Sequence, residues 1–323
     1  MALLSRQIFN INRILPRKIL LLSAILFSSS LSLISCSNTY SDSLSQEEPD
    51  KPIVVTTFTV LADMAENVAG NRLTIKSITK LGDEIHGYQP TPRDIVLASK
   101  ADLIIENGLG LEIWARKFIS AAGDVPTAVL TDGMEPLLIE SDAYAGKPNP
   151  HAWMSPIRAI AYVDNIMDAF IELDPDGEDV YRQNASLYKT ELTKLHIELE
   201  SSLSSIPSEK RVLVTCEGAF SYLARDYGMD EAYLWPVNAE SQVTTKRMLD
   251  LIQTIRVNEI PTIFCESTVS SKAQEEVAKA SGANFGGTFY VDSLSDKNGP
   301  ASTLLELQRH NVQLILEGLL PNK

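Results

Sequence analysis

EDVYRQNASLYKTELTKLHIELESSL, residues 178–203, runs without glycine or proline. Tyr181, Ala185, Tyr188, Leu192, Leu195 and Leu199 recur within it at spacings of three and four. That period puts one apolar stripe along one face of a helix. About 26 residues at about 1.5 Å each make a rod of roughly 40 Å. Such a rod spans the height of two lobes, and we read it as a rigid spine between them. Asp174-Pro175 punctuates the chain just before it.

On both sides of the spine, strand and helix patterns alternate. Upstream, Ile53–Thr57, Leu73–Ile78, Asp102–Glu106 and Thr127–Thr131 read as strands. Helical patterns at 60–68, 91–100 and 109–122 lie between them, and another covers 157–173. Downstream, Arg211–Thr215, Ala232–Val237, Thr262–Cys265 and Asn284–Val291 read as strands. Helical patterns at 218–227, 243–257, 271–281 and 303–319 accompany them. Alternation of this kind implies parallel sheets covered on both faces. The predicted fold is α/β: two lobes, each a four-stranded mostly parallel sheet flanked by helices, joined by one long helix. The expected divisions are an N-terminal lobe over 52–173, a linking helix over 174–206 and a C-terminal lobe over 207–323.

The chain begins with an address. Residues 1–35 carry Arg6, Arg13, Arg17 and Lys18 and no acidic residue, and an apolar run covers 19–34. A basic start and a short apolar core predict a secretory signal peptide. The run is shorter than the roughly 20 residues of a membrane span. Leu33-Ile34-Ser35-Cys36 resembles the bacterial lipobox, which would make Cys36 the lipidated first residue of the mature chain. Residues 36–51 then read as the lipidated cysteine and a flexible polar tether. The expectation is a periplasmic or extracytoplasmic protein, held to the plasma membrane by an N-terminal lipid.

The formal net charge of −14 becomes more negative once the basic leader is removed. Phosphate backbones need a basic face, so nucleic acid is excluded as a partner. With Cys36 lipidated, Cys216 and Cys265 remain. An even pair in an oxidising compartment suggests a disulfide. The two fall at the ends of the first and third strands of the second lobe, which are neighbours in the doubly wound order 2-1-3-4. A metal site containing both thiolates is the alternative.

Gly146-Lys-Pro-Asn-Pro-His-Ala-Trp-Met-Ser-Pro156 holds His151 among three prolines, just before a helical pattern. Pro148 and Pro150 bias their predecessors to extended geometry, and Pro156 suits a first helical turn. His151 is thereby stiffly held, as a metal ligand benefits from being. The bland account is a solvent-facing histidine in a Pro-rich loop. Ligands of open parallel sheets bind beyond the carboxyl ends of the strands. His86 follows the second strand there, His151 the fourth, and Glu217 and Asp292 follow strands of the second lobe. Two imidazoles and two carboxylates would hold a divalent metal through nitrogen and oxygen. By position alone Glu240 and Glu266 tie with Glu217, and Asp83 and Glu84 sit beside His86. His196 and His310 fall inside helical patterns and read as surface or packing residues.

These residues resemble the metal-binding receptors of bacterial ABC importers for manganese, zinc and iron, over nearly all of 53–318. Asn149-Pro150-His151-Ala152-Trp153-Met154-Ser155-Pro156 carries the resemblance most specifically. His86 in Gly82–Pro90, with Thr91-Pro92-Arg93-Asp94 after it, looks like the first ligand of the family. Asp292 in Tyr290-Val291-Asp292-Ser293-Leu294-Ser295 looks like its last. The third ligand in the family is glutamate in manganese or iron receptors and usually histidine in zinc receptors. Here the resemblance implies Glu217, in Cys216-Glu217-Gly218-Ala219-Phe220, and breaks the tie with Glu240 and Glu266. The adjacent cysteine pair resembles the disulfide of cyanobacterial manganese receptors in particular. Zinc receptors often carry a His-rich acidic loop, and residues 132–148 contain no histidine.

The implied function is a monomeric receptor that binds one Mn²⁺, with Zn²⁺ or Fe²⁺ as alternatives, and docks on the transmembrane subunits of an ABC permease. The chain is not expected to be an enzyme: four side-chain ligands leave a hydrolytic metal little room for water. It also lacks Gly-x-Ser-x-Gly and His-Glu-x-x-His motifs. A surface adhesion module, needing no metal, is the competing reading.

Overall fold

The computed structural model describes residues 51–140, 144–237 and 243–320. The signal peptide, Cys36 and the tether up to residue 50 lie outside the described residues, as does Glu240.

The first half builds one parallel sheet from β1 (Ile53–Thr56), β2 (Thr74–Ser77), β3 (Leu103–Glu106) and β4 (Thr127–Val129), in the order β2-β1-β3-β4. Val54 aligns with Ile75 on one side and Leu103 on the other. Helices α1 (Thr59–Ala69), α2 (Pro92–Ala98) and α3 (Ala115–Ala122) connect the strands, and α4 (Pro156–Leu173) follows. α2 opens on a capping box in which Thr91 and Asp94 satisfy each other's backbone N–H.

The predicted helix from 109 starts at Ala115 instead. Gly108, Leu109 and Gly110 all have positive φ (87°, 54° and 81°). The Glu112 carboxylate turns back to accept the N–H groups of Asn107 (2.7 Å) and Gly108 (3.2 Å). This backward capping occupies the residues that periodicity assigned to the first helical turns.

The spine α5 is Glu178–Leu203, with Tyr181, Ala185, Tyr188, Leu192, Leu195, Leu199 and Leu203 buried. It packs against α1 and α4 of the first half and α9 of the second.

The second half contains β5 (Val212–Glu217), β6 (Asp230–Trp235), β7 (Thr262–Glu266) and β8 (Asn284–Phe289), with α6 (Ser221–Asp226), α7 (Thr245–Val257), α8 (Lys272–Ser281) and α9 (Leu304–Leu319). All four expected strands are present. They pair in parallel as β5–β6 and β7–β8. The pairs meet at the disulfide Cys216–Cys265, whose Cα atoms are 4.9 Å apart, the spacing of neighbouring strands. No ladder joins β5 to β7 among the described residues. Beside the disulfide, the Glu266 carboxylate rather than a β7 carbonyl accepts the Glu217 N–H, at 3.3 and 3.4 Å.

Strand residues alternate between apolar cores on the two faces of their sheets, as parallel sheets buried on both faces require. Val54, Ile105, Leu213 and Phe264 face one continuous core that includes the α5 stripe. Val55 and Ile104 face a smaller core under α2 and α3, and Val214, Ile263 and Cys265 another under α7 and α8.

Candidate metal centre

The candidate ligands lie at or beyond the carboxyl ends of strands. The loop after β2 bears His86. It is pinned by the Glu84 carboxylate, which accepts the N–H groups of His86 and Gly87, both at 2.6 Å. Trp114 donates its indole N–H to the Ile85 carbonyl (2.8 Å). His151 ends the Pro-rich arm and leads through a 3-10 turn, Ala152–Met154, into α4. Glu217 is the last residue of β5, and Asp292 follows β8 by three residues.

The structure brings all four side chains together. His86 Nε2 lies 3.1 Å from His151 Nε2 and 3.0 Å from Glu217 Oε1. His151 Nε2 lies 3.7 Å from Glu217 Oε1 and 4.0 Å from Asp292 Oδ1. Ligand atoms about 2.1–2.2 Å from one ion stand roughly 3.0–3.6 Å from each other, so these separations suit a single cation with modest adjustment. Every one of the four residues is buried, His86 the most accessible at 5%.

Electrostatics in this enclosure fit a cation. Burial pushes the Asp292 carboxyl well above its usual range. Its Oδ1 is buried without a hydrogen-bond donor among the described residues, a condition that costs free energy unless something positive or protic faces it. Burial opposes protonation of His86, but Glu217, Asp292 and Glu84 outweigh it and raise the imidazole to about 9. Burial pulls His151 down to about 3, against the attraction of Glu217 and with the repulsion of His86 adding to it. The acidic groups around His86 thus favour positive charge at this place, which a metal ion would supply in a proton's stead. Asn149 Oδ1 lies 2.9 Å from His151 Nδ1 and accepts only, so Nδ1 bears the hydrogen and Nε2 presents its lone pair.

The competitors among the described residues have other partners. Glu266 is buried at the end of β7 and turned to the Glu217 backbone. Burial and the Glu217 charge push its carboxyl well up. Asp83 accepts the Lys80 N–H (2.8 Å). His196 Nδ1 pairs with the Tyr227 hydroxyl (3.0 Å), and His310 Nε2 with the Thr288 carbonyl (3.2 Å). With Cys216 and Cys265 joined, neither sulfur is a thiolate, and the two-cysteine metal site falls away. Sequence reasoning assigned no roles to Asn149 or Trp153. The signal was the Asn-x-His-x-Trp spacing, in which an asparagine two residues before a histidine can turn back onto it.

Residues 54–318 match the ZnuA family, described as zinc-uptake complex component A, periplasmic. The chain belongs to this family of metal-binding receptors of ABC importers. The iron-binding protein YfeA of Yersinia pestis is 51% identical over 265 residues, covering 82% of this chain and 85% of that one. The manganese ABC transporter substrate-binding lipoprotein PsaA of Streptococcus pneumoniae is 34% identical over 294 residues, covering 89% and 94%. The Mn-bound periplasmic metal-binding protein of Candidatus Liberibacter asiaticus superimposes with a TM-score of 0.78 at 35% identity, covering 84% of this chain and all of that one. The resemblance is thus to the family at large, not to its cyanobacterial manganese receptors in particular. Members are extracytoplasmic transport receptors, not enzymes, and deliver a divalent metal to a cognate ABC permease.

Proposed function

We propose that this chain is the receptor of a high-affinity manganese importer. His86, His151, Glu217 and Asp292 hold one Mn²⁺ between a lobe formed by residues 52–173 and a lobe formed by 207–323, linked through 174–206. The receptor works as a monomer, anchored by a lipid on Cys36, and hands its cargo to the transmembrane subunits of the permease. The donor set carries the manganese reading. Glu217 supplies hard oxygen where a third imidazole would favour zinc. The manganese of the S. pneumoniae and Liberibacter relatives supports it.

Iron is the second reading, favoured by the 51% identity to a receptor named for iron. Fe²⁺ sits next to Mn²⁺ in the Irving–Williams order and takes the same donors. Zn²⁺ lies higher in that order, so selectivity in transport need not follow affinity in vitro.

The test is metal content by mass spectrometry after dialysis of apo protein, residues 52–323, against limiting Mn²⁺. One equivalent in wild type and little in His151→Ala is expected. Metal in neither would turn the reading to surface adhesion. Anaerobic dialysis against equimolar Mn²⁺ and Fe²⁺ then decides between them, and preferential retention of Fe²⁺ would replace manganese with iron.

A further inference from the structure

His151 stands between two side chains that both reach into the second half of the chain. Two residues before it, Asn149 donates from Nδ2 to the Gly218 carbonyl (2.7 Å) and to Ser221 Oγ (3.1 Å). The Oδ1 of the same amide accepts the His151 backbone N–H (3.0 Å) and faces its Nδ1 (2.9 Å). Two residues after it, Trp153 donates its indole N–H to the Val291 carbonyl (3.2 Å). The Trp153 carbonyl in turn accepts from Gln308 Nε2 (3.0 Å). Gly218 is the residue after Glu217, and Val291 is the residue before Asp292. Each donor therefore grips the peptide adjoining one carboxylate. Both side chains are buried, Asn149 at 3% exposure and Trp153 at 0%, so solvent does not compete for these bonds.

We propose that Asn149 and Trp153 are positioning residues that assemble His151, Glu217 and Asp292 across the lobe junction before the metal arrives. The inference rests on the metal-binding reading above. Its physical basis is pre-organisation: a ligand already held in place loses less entropy on binding. A partner on the far nitrogen of a ligating histidine is commonly worth 10–100-fold in affinity. Asn149 performs both tasks with one amide. Its oxygen sets the His151 tautomer, and its nitrogen ties down the turn after Glu217. His86 is held differently. Its Nδ1 has no hydrogen-bond partner among the described residues, and its loop meets the second half through Gly82 N–H and Ser293 Oγ (2.7 Å).

Two substitutions in the full chain separate positioning from folding. Asn149→Asp keeps an acceptor for His151 and removes the donor to Gly218. Trp153→Phe keeps a ring against Phe58, whose centroid is 5.1 Å away, and removes the donor to Val291. The readouts are Mn²⁺ release into excess chelator, the electron paramagnetic resonance spectrum of bound Mn²⁺, and the melting temperature of the apo protein. Each variant is expected to release Mn²⁺ about 10–100-fold faster, with an altered zero-field splitting, while the apo protein keeps a cooperative transition. Should one variant fail to fold, the other carries the test. Release rates and spectra equal to wild type overturn the inference, whatever the melting temperatures do. Wild type that retains no Mn²⁺ sinks the metal reading and this inference together. Wild type that binds, beside variants that release at its rate, sinks the inference alone.

Discussion

In the proposed site, Glu217 is the residue on which the choice of cargo would turn. Its carboxylate approaches both histidines, at 3.0 and 3.7 Å. Replacing it by histidine would make a softer, three-imidazole site. Glu217→His is expected to shift the Zn²⁺-over-Mn²⁺ preference upward by about tenfold or more, read from competition dialysis. An unchanged ratio would remove Glu217 from the ligand set. Protonation sets a second expectation. His86 is raised to about 9 by the acidic groups around it, so below that pH a metal has to displace its proton. Binding should therefore release protons, and affinity should climb as pH rises toward about 9, by roughly tenfold per unit for each proton displaced. Calorimetry in buffers of different ionisation enthalpy measures the release directly. An affinity flat between pH 6.5 and 8.5 would contradict this assignment of charge.

At the level of elements, the seam between β5 and β7 is the join that lacks a ladder among the described residues. It is tied by the Cys216–Cys265 bridge, over a sequence separation of 49, by Glu266 accepting the Glu217 N–H, and by the core that Val214 and Ile263 share. Loop-closure entropy over that span corresponds to about 4 kcal/mol. The double substitution Cys216→Ser, Cys265→Ser should lower stability toward that amount in urea titration and weaken metal binding, because Glu217 adjoins the bridge. Equal affinity with and without the bridge would show that the seam holds Glu217 unaided. The same seam marks the limit of what was readable beforehand. α5 was legible to the residue, since its stripe is unbroken and no glycine or proline interrupts it. Residues 109–114 were not: Leu111 and Ala115 keep helical spacing, and the positive φ at Leu109 and Gly110 together with the backward reach of Glu112 to two backbone N–H groups undo the helix. Glu217 and Glu266 end neighbouring strands with similar local sequence. Nothing in periodicity says which carboxylate faces the histidines and which faces a peptide. The grip of Asn149 and Trp153 on the second half was equally opaque, because those partners lie more than 60 residues away.

Across the whole molecule, one apolar core runs from Val54 through the α5 stripe to Leu319. Both halves therefore share buried surface, and the protein is expected to unfold in a single cooperative transition. Leu195, fully buried on α5, tests this. Leu195→Ala should cost about 2–5 kcal/mol and shift the whole melting curve. Two resolved transitions would mean that the halves are energetically separate. Bound Mn²⁺ should raise the transition temperature in wild type, since ligand binding to the folded state alone stabilises it.

That shared core also bears on how such a receptor can be altered, by selection or by an engineer. A half transplanted from a relative would present its own knobs to a stranger's holes along the length of α5. Receptors built this way are poor material for modular exchange. A new metal preference is reached more readily by single replacements at the four candidate ligands and their tethers, within a scaffold that is inherited whole.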